Sequence, residues 1–365
     1  MSVLTEYLNR MFLARFLVVL FGVIGFATVI DLIDVGAELV RSPEGPLAAG
    51  LSYFALRLPI MLSELMPIAA LIAGLLAVGD LLRHRELIVV WSSGVRPLTI
   101  LGMLLPAGLA LTAGKFAIDD FGVPRATTAL RLWGIGDYRH RPVDGAAGDF
   151  YWLRSGNDIV RLSANAAAVG EVTDVTIFRR GDDGILTERL EAETATTAPA
   201  GWRLEQVTRA RIGADAVERL ATLDWPGTID IDRIQLLARP PRELTLGQLL
   251  DVVAAGGYGL RAREPYLTWA HQRVAGAFLP MFLMLLAFAL VRRFSRTASI
   301  APVFMTAVAI GFSLLILGGV ASALGEVGFI APALAGWGPT ALLGAIVLAL
   351  AVRDGWSRAG RAVPA

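Results

Sequence analysis

Residues 80–97 read DLLRHRELIVVWSSGVRP, a charged run set between two long apolar segments. Arg83, His84, Arg85 and Glu86 stand side by side, and the apolar text resumes at once with LIVVW. Each flanking segment is long enough to cross a bilayer, which takes about 20 mostly apolar residues. The run is therefore a short connection between two membrane spans, and the fold follows from counting outward from it.

Composition agrees. The 365 residues are 55% hydrophobic and 18% charged, with mean hydropathy +0.60; soluble domains carry roughly a quarter charged residues. The charges gather in 123–265 and are sparse in 1–122 and 266–352. Six segments reach spanning length: 13–33, 54–79, 98–118, 269–291, 300–322 and 330–352. The first is read as a retained span, because it outruns the apolar core of a signal peptide, about 7–15 residues. Three blocks result: 1–122 with spans 1–3 and the connection near 80–95; 123–265 as an inserted domain; 266–365 with spans 4–6 and a tail.

Basic residues orient the spans, since cytoplasmic loops carry the excess of Lys and Arg. Arg10 and Arg15 precede span 1, Arg83, Arg85 and Arg96 separate spans 2 and 3, Arg292, Arg293 and Arg296 separate spans 4 and 5, and Arg353, Arg358 and Arg361 follow span 6. The opposite loops hold only Arg41. Both termini and the 80–97 connection are thus expected in the cytoplasm. The insertion is expected outside, in the periplasm of a Gram-negative cell.

Within the connection, Leu82, Leu87, Val90 and Trp91 have helical apolar spacing, Gly94 suits a C-terminal stop and Pro97 a new helix start. A short amphipathic helix there can rest in the lipid interface or dock into a partner's groove. Arg83 and Arg85 suit lipid headgroups, which would repel Glu86. Both readings stay open on chemistry alone.

The insertion reads as antiparallel β structure. FYWLRSGNDIVRL (150–162) breaks at Ser155-Gly156-Asn157-Asp158, the alternating run 172–197 breaks at Asp182-Asp183-Gly184, and Pro199-Ala200-Gly201 leads into GWRLEQVTRARI. Hairpins in series with period-two alternation imply a sandwich or roll. A linker helix follows, with capping-box spacing from Thr245 to Gln248.

Much chemistry is absent. The chain has no cysteine and a net charge of +1, so disulfides, thiolate chemistry and bulk attraction to nucleic acid are not expected. Gly114-Lys115 lacks the rest of a phosphate-binding loop, no HExxH or GxSxG occurs, and the three histidines are scattered. No catalytic residue, metal site or cofactor is expected. Glu64, between Pro59 and Pro67 in span 2, is the one well-placed intramembrane carboxylate. It is read as a helix-packing residue ahead of a cavity or proton site. Insertion at mid-membrane costs about 2.5–3.5 kcal/mol, so it should face protein or water.

The order of these features resembles the lipopolysaccharide export permeases, the LptF/LptG family, over nearly the whole length. The resemblance is carried by Leu58-Pro59 to Pro67, by ALIAGLLAVGDLLRHRELIVVWSSG (70–94) with its Arg83 or Arg85, Glu86, Leu87, Val89 and Gly94, and by ELTLGQLLDVVAAGGYGLRAREPYLTWAHQRVAGAFLP (243–280). The character of spans 1 and 2 leans toward the LptG member over LptF. The resemblance implies an α-helical membrane protein of 3+3 spans with a β-jellyroll-like periplasmic domain, acting as one permease of an ABC transporter in the inner membrane. It implies as partners a second, LptF-type permease, a cytoplasmic LptB-type ATPase dimer that supplies ATP hydrolysis, a single-span LptC-type protein and a periplasmic LptA-type bridge. The 80–94 stretch would be the coupling helix, with Glu86 pairing an ATPase arginine and Leu87, Val90 and Trp91 filling a groove. Lys115, Arg125, Arg131, Arg139 and Arg57 are candidates for the phosphorylated headgroup, Arg131 first among them. One departure is the acidic end of span 1, DLIDVGAEL (31–39), where related permeases often carry lysine. The rival reading is a non-transport membrane scaffold with a β interaction domain.

Overall fold

The structure is a computed structural model that describes residues 2–86, 90, 95, 97–138, 150–163, 171–181, 183–198, 201–213, 217–227, 239–254, 263–294 and 301–359. The chain divides into two compact units, residues 1–139 with 267–365, and residues 140–266.

The first unit is helical. Its elements are α1 (Ser2–Val40), α2 (Pro46–Arg83), α3 (Pro97–Ala117), a π-turn (Ile118–Gly122), α4 (Val123–Trp133), α6 (Glu264–Ala277), α7 (Leu279–Phe294), α8 (Ala301–Glu326) and α9 (Pro332–Ala359). Five continuous helical stretches are long and apolar enough to cross a membrane, and α6 with α7 makes a sixth span bent by 44°. Six spans were expected; two are shaped differently. Span 3 does not end near 118 but runs through the π-turn into α4, so the helical unit takes in residues assigned from sequence to the insertion. Span 4 is broken at Phe278, because Pro280 has no N–H for the preceding turn.

α1 holds to the bundle by a narrow stripe. Leu8, Phe12, Phe16, Leu20 and Ile24 recur every four residues and are at most 4% exposed. Such rows form the ridges along which helices interdigitate. They join α2, α3, α7 and parts of α8 and α9 in one apolar core. In lipid, small residues at contacts let backbones approach. At Gly74 of α2 a Cβ would lie 2.9 Å from Ala287 Cβ of α7. At Gly336 of α9 it would lie 2.6 Å from His271 Cβ of α6. A second cluster at the far end of α1 packs Val35 and Leu39 with Tyr53, Ile60, Ala126 and Leu130.

The second unit is an antiparallel sheet whose described strands follow one another as a six-stranded meander: β1 (Phe150–Ser155), β2 (Asp158–Ser163), β3 (Glu171–Arg180), β4 (Leu186–Ala198), β5 (Gly201–Arg211) and β6 (Val217–Trp225). The sequence turns are in place. Ser155 pairs with Asp158 across Gly156 (φ 61°), and Ala198 pairs with Gly201. Pro199, Ala200 and Asp182 lie outside the described residues. The buried apolar positions step by two except at Val172 to Val175, Ala192 to Ala195 and Leu204 to Val207. Within the first and last of these steps, Asp174 (φ 54°) and Gln206 (φ 55°) are left-handed. The pairing register runs unbroken across these steps, with Thr173 opposite Thr194, Val175 opposite Ala192 and Thr194 opposite Glu205, so neighbouring strands change face together and the apolar side stays inward; the described β3–β4 register shifts only between Arg179 and Arg180. At the end of this buried face, Glu188 is 5% exposed and accepts from Arg179 at 2.5 Å and Arg209 at 2.7 Å. Burial works against its charged form, yet Arg209 and Arg179 outweigh this and hold the carboxyl below the usual range. α5 (Leu246–Ala254) opens on the expected capping box: Gln248 N–H donates to Thr245 Oγ1 (3.2 Å) and Thr245 N–H to Gln248 Oε1 (3.0 Å).

Candidate functional site

Two groups of polar side chains sit at opposite ends of span 1. At its N-terminal end, Tyr7 donates its hydroxyl to Glu86 Oε2 at 2.8 Å. Arg15 donates from Nε and Nη2 to Asp80 Oδ2, at 2.9 and 2.5 Å. Between them Asn9 reaches α3. Its Nδ2 donates to Met103 C=O at 2.7 Å, and Ala107 N–H donates to its Oδ1 at 2.8 Å. Ala107 and Met103 are four apart in that helix, beside Pro106. The Asn9 amide is thus inserted into the helix's own hydrogen-bond ladder.

The chain turns sharply before Glu86. His84 N–H closes on Asp80 C=O at 2.9 Å and Arg85 N–H on Leu82 C=O at 3.1 Å, ending α2. Arg85 then takes φ 60°. A non-glycine residue pays about 1–3 kcal/mol for such a backbone, and here it turns Glu86 out of line with α2. Arg83 and Arg85 are exposed and Glu86 is half-buried. Val90 is half-buried against the chain's own membrane core. Leu87, Trp91 and Gly94 lie outside the described residues.

At the C-terminal end of span 1, Asp31 accepts from the Tyr53 hydroxyl at 2.8 Å and from Arg57 Nε at 3.0 Å. Arg57 also donates to the Tyr138 hydroxyl at 2.7 Å and lies over its ring, 5.9 Å from the centroid. Deeper in the unit, Lys115 Nζ donates to Asp119 Oδ2 at 2.5 Å and to Ser63 Oγ at 3.2 Å. Arg273 of α6 donates to the Asp119 carbonyl. Lys115, Asp119, Asp120 and Arg273 are each at most 8% exposed. Two cations and two carboxylates thus balance in a buried cluster. The π-turn carries both aspartates. Asp119 and Asp120, at the end of the apolar run of span 3, are inside the helical unit.

The headgroup candidates therefore separate. Arg57 and Lys115 are each held by a carboxylate of the same chain. Arg125 is exposed; it donates to Phe121 C=O at 2.9 Å and covers that ring, 5.7 Å from its centroid. Arg131 is half-exposed on α4. Arg139 lies outside the described residues. Glu64 is exposed on the surface of α2, not packed within its own bundle.

Sequence reasoning did not reach Tyr7, Asn9, the Arg15–Asp80 pair, the partners of Asp31, or Arg273. Only the Lys115–Asp119 pair had a local signal, its four-residue spacing on a helix.

The family model of the lipopolysaccharide export system permease LptF/LptG matches residues 6–353. Among similar proteins is the lipopolysaccharide export system permease protein LptG of Escherichia coli (strain K12). It is 22% identical over 265 residues, covering 69% of this chain and 71% of that one. The protein of the same name from Haemophilus influenzae (strain ATCC 51907) is 20% identical over 265 residues, with the same coverage.

Proposed function

The chain belongs to the LptF/LptG family of lipopolysaccharide export system permeases, and on that premise we propose that it is one permease of an ATP-driven exporter in the inner membrane. In this reading both termini and the 80–97 connection face the cytoplasm, and the β domain is periplasmic. A cytoplasmic ATPase dimer docks on the connection, with Glu86 accepting from one of its arginines. Nucleotide-driven closure of the ATPase then moves the spans, a mechanical coupling of two states. The cargo is lipopolysaccharide, drawn from the membrane and passed through the β domain to a periplasmic bridge. A second permease completes the cavity.

The observation that carries the reading is the family match from residue 6 to 353. The placement of Glu86 supports it: a carboxylate at the end of a span, turned aside by the left-handed Arg85 and flanked by exposed arginines. Glu64 supports a second subunit. An exposed carboxylate at membrane depth costs about 2.5–3.5 kcal/mol in lipid, so this face belongs against a partner or a water-filled cavity. Arg125, exposed on α4, suits headgroup phosphates better than Lys115 and Arg57, whose charges are already answered.

The test is co-purification of wild type and Glu86→Ala with the ATPase, then lipopolysaccharide-stimulated ATP hydrolysis in liposomes. Wild type is expected to retain the ATPase, and Glu86→Ala to lose or uncouple it. Wild type that never binds an ATPase would instead support the scaffold reading.

A further inference from the structure

Span 1 is the most lipid-facing of the long helices. Val18, Phe21, Phe26, Val29 and Ile33 are all at least 60% exposed, and α1 is held by its four-residue stripe and by polar contacts near its ends. At the N-terminal end two contacts go to one short piece of chain: Arg15 grips Asp80 and Tyr7 grips Glu86. Between Asp80 and Glu86 α2 ends, and Arg85 takes a left-handed φ of 60°. A displacement of Glu86 is therefore not carried straight along the axis of α2. The side chain that Glu86 does touch belongs to α1.

From this we infer that Tyr7 is a positioning residue that links the 80–86 connection directly to span 1, with Arg15 and Asp80 as the second point of attachment. The inference rests on the export reading above. Tyr7 donates to Oε2 only, and among the described residues Glu86 Oε1 accepts no hydrogen bond. A carboxylate can accept from two donors on its two oxygens. Tyr7 can thus keep its hold while a guanidinium of the ATPase engages the other oxygen. A rigid ring on two rotatable bonds transmits position better than a long flexible chain. Two attachment points, eight residues apart on one helix (Tyr7 and Arg15), fix rotation as well as translation of α1. The span with the largest lipid-facing surface is then moved by the ATPase without passing through the rest of the bundle.

The experiment is Tyr7→Phe in the complete complex, reconstituted in phospholipid liposomes with and without lipopolysaccharide. Three quantities are read: ATPase retained per permease, basal hydrolysis, and lipopolysaccharide-stimulated hydrolysis. The first two are expected at wild-type levels, and the stimulated rate is expected to fall about fivefold or more, the lower range of energetic coupling between sites. A double variant, Tyr7→Phe with Glu86→Gln, is expected to lose no more stimulation than Glu86→Gln alone, because both act through one hydrogen bond. An unchanged stimulated rate in Tyr7→Phe overturns the link. Loss of the ATPase itself also overturns it, since Tyr7 would then serve docking or folding. Wild type that recruits no ATPase is a different failure: it removes the export reading, and the link with it.

Discussion

The two ends of span 1 use the same residue types to opposite effect. At the C-terminal end every described basic group deeper than the rim is consumed. Asp31 holds Arg57, and Asp119 holds Lys115 beside Arg273. At the N-terminal end the pairing is partial. Asp80 holds Arg15, but Arg83 and Arg85 stay exposed and Glu86 keeps one oxygen open. One end is a closed arrangement that fixes helices to one another; the other presents charge. An arginine in a loop of a membrane protein is thus not a ligand contact by default. Its availability depends on whether a carboxylate from a distant helix reaches it first.

The sharpest way to break this contrast is to attack the buried cluster. Lys115→Met leaves Asp119 buried without its cation, which costs about 3–5 kcal/mol. A large drop in the thermal midpoint of the solubilised protein is expected. Lys115→Met with Asp119→Leu is expected to recover much of the loss. A neutral single variant would show that the end called closed is not. Next in size is Asn9→Leu, which strips partners from Met103 C=O and Ala107 N–H and costs about 1–3 kcal/mol, read in the same unfolding assay.

The cations can be sorted by what they report. Arg125→Gln is expected to leave the midpoint nearly unchanged while weakening retention of lipopolysaccharide on the purified complex several-fold. Arg57→Gln is expected to do the reverse, losing stability because Asp31 keeps only the Tyr53 hydroxyl and loses its cation, and losing little cargo. If Arg57→Gln loses cargo at unchanged stability, the two ends are alike after all. The smallest effect serves as a control in the β domain. The Glu188 carboxyl titrates below its ordinary value because of Arg209 and Arg179. Its stabilising contribution is complete above the ordinary carboxylate range and is lost as pH falls through the lowered value. In an acid titration of the whole chain, Glu188→Gln should flatten this part of the unfolding profile and leave cargo stimulation untouched.

Sequence and structure agree where the determinants are local. The spans show as apolar runs, the hairpins at Gly156 and Gly201 as turn residues, and the α5 start as Thr245 and Gln248. Pro280 marks a break that was in view in the sequence but was passed over inside an apolar run. The π-turn at 118–122 left no such mark. It matters because it carries Asp119 and Asp120, and Asp119 meets Lys115 and Arg273, the latter 154 residues away. Tyr7 and Glu86 are 79 residues apart, and a hydroxyl near an N-terminus carries no pattern. The resemblance drew attention to the 80–94 stretch; its contact with span 1 shows only in the folded chain.

The Asn9 amide adds a consequence in time. The side chain that completes the backbone of α3 lies 98 residues earlier than Ala107. A chain made from its N-terminus has span 1 in the bilayer before span 3 leaves the ribosome. Span 3 therefore enters a membrane where its template is already waiting, and the geometry beside Pro106 is set by a neighbour rather than by its own sequence. A copy of span 3 delivered before span 1, as in a circularly permuted gene, would have to close that ladder by itself.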